Sequence, residues 1–123
     1  MENITEFIDE IEDCLIDGTE RTLYSPIGDF LTQYFNKSFQ KKIIVRAERS
    51  SKSYDSVCGF PDLTIKDSKK RIIGFIEVKL PSDNLDNDKF SDQFKRYKSS
   101  LENIIITNLK DWELWQWKDN KPT

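Results

Sequence analysis

A mixed α/β fold, in the order α-α-β-β-β-α-β-β, is predicted by three features of the chain. Apolar residues recur at helical spacing near the amino end and again over positions 88–100. Short apolar runs at 42–49, 63–65 and 71–80 are too brief for helices and are bounded by polar turn residues. A helix falls between the third run and the triplet Ile104-Ile105-Ile106, so those two strands are joined by a crossover and should lie parallel.

Each element has a local cause. From about Ile4 to Ile16, residues Ile4, Phe7, Ile8, Ile11, Cys14 and Leu15 make one apolar stripe among acids, and Gly18 is placed to end that helix. A second helix is expected from Ser25-Pro26 to Phe35, with Pro in its first turn and Ile27, Phe30, Leu31, Tyr34 and Phe35 as its stripe. Lys42 to Arg49 reads as a strand, Ser50 to Ser56 as a loop. Leu63 to Ile65 and Arg71 to Leu80 read as a hairpin closed by Asp67-Ser68-Lys69-Lys70, and Pro81 stops the second of them. Phe90, Phe94 and Tyr97 stripe a helix over Asp88 to Ser100. Asn103 to Thr107 contains the unbroken run Ile104-Ile105-Ile106, the mark of a strand expected to be buried on both faces. Trp112 to Trp117 alternates and is expected at or near an edge of the sheet.

At 123 residues the chain is expected to form one domain, 1–123, with a single modest core. It is 33% charged and 37% apolar, yet its aromatic residues and apolar runs mark it as globular. No apolar run approaches a membrane span, and the acidic amino terminus does not resemble a secretory signal, so the expected compartment is the cytoplasm. Cys14 and Cys58 lack any CxxC spacing and are expected to be reduced thiols. There is no histidine, which removes Ser-His-Asp, Cys-His and His-metal chemistry. Catalysis must then use carboxylates, lysines or a bound cofactor.

The net charge of −3 argues against holding nucleic acid by bulk electrostatics. Basic residues nonetheless cluster at Lys41, Lys42, Arg46, Arg49 and Lys52, at Lys69 to Arg71, and at Lys95, Arg96 and Lys98. Of these, Arg46, Arg49, Lys95 and Lys98 are candidates for phosphate contact, which carries affinity rather than sequence information. Trp112, Trp115 and Trp117 are expected to pack rather than to stack on bases, and Phe60 to sit in the core.

The chemistry concentrates in Gly59 to Lys66 and Ile72 to Leu80. In a strand, side chains two apart share a face, so Glu77 and Lys79 point one way while Ile76, Val78 and Leu80 point the other. If the two segments pair, Asp62 comes alongside Glu77 and Lys79. Two acids and a lysine at a strand end form a candidate site for a divalent metal and phosphodiester hydrolysis. Mg²⁺ wants oxygen ligands and accepts one or two carboxylates together with substrate phosphate.

Pro61-Asp62 followed by Glu77-Val78-Lys79, in this element order, resembles the PD-(D/E)xK nuclease superfamily, from about Glu20 to Trp117. Gln93-Phe94-Lys95-Arg96-Tyr97, then Ile104 to Asn108 and Trp112 to Trp115, resemble the amino-terminal nuclease domain of restriction enzymes fused to an adenine methyltransferase. The resemblance implies a restriction-endonuclease-like mixed sheet flanked by helices. It implies a DNA endonuclease that leaves 5′-phosphate and 3′-hydroxyl ends. Asp62, Glu77 and the Val78 carbonyl would hold Mg²⁺, for which Mn²⁺ could substitute, and Lys79 would lie beside the attacking water. Glu20 is the first choice for an additional acid and Asp29 the second. Gln93 matches a polar residue that relatives present from the following helix. Partners implied are DNA, further domains or subunits that read sequence, a methyltransferase among them, and a second copy for double-strand cleavage. Two rivals stand: a nuclease-like binding or assembly module with an idle site, and an enzyme acting on a small phosphate metabolite in a closed pocket.

Overall fold

A computed structural model describes residues 4–16, 20–39, 42–47, 61–118 and 121–122. In chain order the elements are α1 (Ile4–Ile16), a 3-10 turn (Glu20–Leu23), α2 (Tyr24–Phe39), β1 (Ile44–Ala47), β2 (Leu63–Lys66) and β3 (Ile72–Val78). A second 3-10 turn (Asp88–Phe90), α3 (Ser91–Ser100), β4 (Asn103–Thr107), β5 (Trp112–Lys118) and the two-residue β6 (Lys121–Pro122) follow. Gly18, the loop expected over 50–56, Cys58, Gly59 and Phe60 lie outside the described residues, as do Lys41, Arg49 and Lys52.

The strands stand in sequence order, β1-β2-β3-β4-β5-β6. β3 and β4 are parallel and the other neighbouring pairs antiparallel, as the crossover through α3 requires. The sheet divides two apolar clusters. Val45, Leu63, Ile76 and Val78 pack with Phe7, Ile11, Leu23, Ile27 and Leu31 of the first helices. Phe75, Ile104 and Ile106, from the other face, pack with Phe90, Phe94, Tyr97 and Leu101 around α3. Fully burying side chains such as Leu63 and Ile76 stabilises the fold by roughly 2 kcal/mol each. Glu77 and Lys79 alternate with Ile76 and Val78, so they share the α3 side with Phe75.

At the edge of the sheet, α2 rests directly on β1. A Cβ on Gly28 would lie 2.7 Å from the Val45 carbonyl oxygen, so only glycine permits this approach. One turn on, the Thr32 hydroxyl accepts from Val45 N–H at 2.8 Å and lies 3.2 Å from its carbonyl; a further turn on, Asn36 Oδ1 accepts from Ile43 N–H. Gly28, Thr32 and Asn36 thus line one helix face that covers the open hydrogen-bonding groups of β1.

Several boundaries differ from expectation. α2 starts at Tyr24, directly after the 3-10 turn, and extends to Phe39. β3 ends at Val78 rather than Leu80, although Lys79 N–H still donates to the Thr107 carbonyl at 2.8 Å. β4 is not buried on both faces: Ile104 and Ile106 are covered by α3, but Ile105 is half-buried and its neighbour Leu114 is 59% exposed. The cause is that α1 and α2 cover β1 to β3 and stop short of β5. An apolar groove of about 180 Å³, lined by Phe35, Ile43, Ile65 and Ile105 among others, remains on that face. Among the described residues no helix is long and apolar enough to cross a membrane.

Candidate functional site

Asp62 stands one position before β2, whose pairing with β3 ends at Leu63 opposite Ile76. Beyond that pair the Asp62 side chain takes over from the backbone: Oδ2 accepts from Val78 N–H at 2.7 Å. Oδ1 accepts from the Tyr24 hydroxyl at 2.6 Å. The hairpin therefore brings Asp62 beside the end of β3, and both of its oxygens are held.

Glu77 and Lys79 are 3% and 8% exposed, unusual for such residues unless they are paired. They are: Lys79 Nζ lies 3.1 Å from Glu77 Oε2. The same ammonium sits 4.8 Å from the Phe90 ring centroid and 5.9 Å from that of Phe94, so two stacked rings provide its remaining cover. Glu77 Oε1 is buried with no hydrogen-bond partner among the described residues. Burial, then the Asp62 charge, pushes the Glu77 carboxyl up to about 7, against the pull of Lys79. Burial also raises Asp62, opposed first by the hydrogen bonds from Tyr24 and Val78.

Glu20 opens the first 3-10 turn and faces this cluster. Its Oε1 is 3.4 Å from the Tyr24 hydroxyl, and its carboxyl is raised by burial while Lys79 pulls it down and Asp62 pushes it up. Asp29 is exposed on α2. Gln93 makes a less direct contact: its Nε2 donates to the Tyr97 hydroxyl at 3.2 Å. Tyr97 is 2% exposed, and its phenol is raised by burial and by the Glu77 and Asp62 charges. Burial and hydrogen bonding to Asp62 likewise raise the Tyr24 phenol, so both tyrosines stay protonated donors.

Tyr24, Tyr97, Phe90 and Phe94 belong to the site's surroundings, and nothing in their sequence spacing marks them for it. Phe90, Phe94 and Tyr97 do lie in the apolar stripe that their spacing predicts; the stripe does not reveal that it covers an ammonium and a carboxylate. Lys95 and Arg96 are exposed on α3, whereas Lys98 Nζ lies 3.5 Å from the Trp115 ring centroid. Trp115 packs against the α3-side core, whereas Trp112 is 46% exposed. Arg46 is exposed on β1.

Oxygen donors for a hard cation are the Asp62 and Glu77 carboxylates. Among the described residues no group of three His, Cys, Asp or Glu side chains is gathered to hold a metal. Two carboxylates suffice for Mg²⁺ where substrate phosphate and water complete the shell. The unpartnered, buried Glu77 Oε1 fits such an ion, since a buried carboxylate oxygen without a donor is costly.

No family model matches the chain, and none of the curated proteins does. Among solved structures, a chain of the cryo-EM structure of the DrdV–DNA complex is similar to it, with a TM-score of 0.68 at 24% identity. The match covers 96% of this chain and 82% of that one. This likeness shows the fold, a restriction-endonuclease-like mixed sheet flanked by helices.

Proposed function

We propose that the chain is a metal-dependent endonuclease domain of the PD-(D/E)xK type, hydrolysing DNA phosphodiesters in the restriction of foreign DNA. The observation that carries this reading is the meeting of Asp62, Glu77 and Lys79 at the end of β3, with one buried Glu77 oxygen lacking a hydrogen-bond partner among the described residues. The similar chain comes from a DNA complex, which supports DNA as the partner.

In this reading Asp62, Glu77 and the Val78 carbonyl hold Mg²⁺, with Mn²⁺ as a substitute. Once bound, the ion polarises the scissile phosphate and neutralises charge developing in the transition state. Asp62 is oriented for ligation by Tyr24 and Val78. Lys79 orients the attacking water and stabilises the phosphoryl oxygens, its own position set by Glu77 and the Phe90 ring. The water oxygen forms the new P–O bond and the P–O3′ bond breaks, leaving a 5′-phosphate and a 3′-hydroxyl. Glu20 is the additional acid. Gln93 acts from the rim, through Tyr97. Lys95 and Arg96 contact phosphates without reading bases.

Target choice belongs in this reading to other domains or subunits, a methyltransferase among them. Cleavage of both strands calls for two such sites, in a homodimer or a paired complex on DNA. The reaction belongs to the cytoplasm, where foreign DNA is met. The test is nicking of supercoiled plasmid by the full-length parent protein with Mg²⁺, with Mn²⁺ and with EDTA. Cutting confined to the metal arms is expected; equal cutting with EDTA, or none in any arm, overturns the reading and favours an idle nuclease-like module.

A further inference from the structure

We propose that Tyr24 is the positioning residue of Asp62: its hydroxyl and the Val78 N–H grip the two carboxylate oxygens and fix the orientation in which Asp62 meets a divalent cation. The inference rests on the metal-site reading above and adds a residue that reading did not require.

The geometry is specific. The O–H to Oδ1 distance of 2.6 Å is that of a strong, charge-assisted bond, and the N–H to Oδ2 distance is 2.7 Å. With one donor on each oxygen, the carboxylate plane is set from two sides, while each oxygen retains a lone pair for a ligand. Tyr24 has one proton to give. Glu20 Oε1, at 3.4 Å, is the longer of its two contacts, so the proton goes to Asp62. The support is rigid at both ends: Tyr24 is the first residue of α2 and packs against the α1 and α2 core, whereas Val78 ends a central strand. A link across 38 positions of sequence thus ties the helix layer to the acid at the sheet's end. Outer contacts of this kind fix ligand geometry, and losing one typically weakens metal binding roughly 10 to 100-fold.

The test is calorimetric titration of Mn²⁺ into the full chain, wild type beside Tyr24→Phe and Tyr34→Phe. Tyr34 is exposed farther along the same helix and serves as the control. The expected result is a roughly 10 to 100-fold weaker affinity in Tyr24→Phe, no change in Tyr34→Phe, and recovery of cleavage by Tyr24→Phe at raised metal concentration. Equal affinity in Tyr24→Phe and wild type overturns the proposal. A wild type that takes up no ion overturns the functional reading and this inference with it, and the two failures are distinguished by the wild-type titration alone. A metal-free urea comparison of Tyr24→Phe, Asp62→Ala and the double variant supplies a second check. Losses smaller in combination than in sum support the link; strictly additive losses overturn it.

Discussion

Lys79 Nζ lies 3.1 Å from Glu77 Oε2 with both side chains buried on the α3 side of the sheet. Removing one member leaves the other charge buried alone, which typically costs about 3 to 5 kcal/mol. Lys79→Ala should therefore lower stability by that order at pH 8, read from urea unfolding. At pH 5 the loss should shrink, because Glu77 takes up a proton below about 7 and needs no counter-cation. An equal loss at both values would count against the ion pair.

The raised Glu77 carboxyl sets a pH dependence whose sign is the reverse of the usual acid. Between the ordinary value of 4.5 and about 7 the folded chain holds a proton that the unfolded chain has lost. Stability from this group is therefore full below 4.5, falls as pH rises through that window and levels off above it. Over that window of about 2.5 pH units the loss is roughly 3 to 4 kcal/mol, at about 1.36 kcal/mol per unit. Metal-free wild type compared with Glu77→Gln by urea unfolding from pH 4 to 8 isolates the effect. Adding Mg²⁺ should reduce the loss, since the ion favours the ionised carboxylate.

Thr32 and Gly28 guard the β1 edge. Thr32→Val leaves the Val45 N–H without its side-chain acceptor, a loss of about 1 to 3 kcal/mol. Gly28→Ala presses a methyl to 2.7 Å from the Val45 carbonyl oxygen and should cost about as much through overpacking. Thermal melts of both variants check this; two unchanged midpoints would contradict the α2 to β1 contact.

Gln93 donates to the Tyr97 hydroxyl rather than directly to an acid. Gln93→Ala should accordingly reduce plasmid cutting by about tenfold or less, against a loss of about 100-fold or more in Asp62→Ala, at unchanged folding. Equal losses in the two would place Gln93 on the reacting groups instead.

The sheet was legible wherever periodicity decides the structure. Alternation over 72–80 fixes that Glu77 and Lys79 share a face, and the crossover helix fixes β3 parallel to β4. Asp62 was legible only as lying near the end of β3, because the register shifts by one residue between Ile65 and Lys66, and that irregularity, which the turn residues do not reveal, sets which residue Asp62 stands beside. Tyr24 was not: a tyrosine opening a helix reads as apolar cover, and only tertiary packing brings its hydroxyl to an acid 38 positions away. Ile105 misled for a related reason. An unbroken apolar run specifies a strand, but whether its second face is covered depends on where α1 and α2 stop. The cover over Lys79 was hidden similarly, since Phe90 and Phe94 are ordinary core residues by spacing and acquire a second role only by lying under an ammonium.

In the proposed reaction Asp62 and Glu77 share one cation. A crystal soaked in Mn²⁺ and measured at the manganese edge tests it most directly. An anomalous peak in contact with Glu77 Oε1 and an Asp62 oxygen, beside Lys79, is expected. A peak bound by other residues, with these two carboxylates left without an ion, would contradict it.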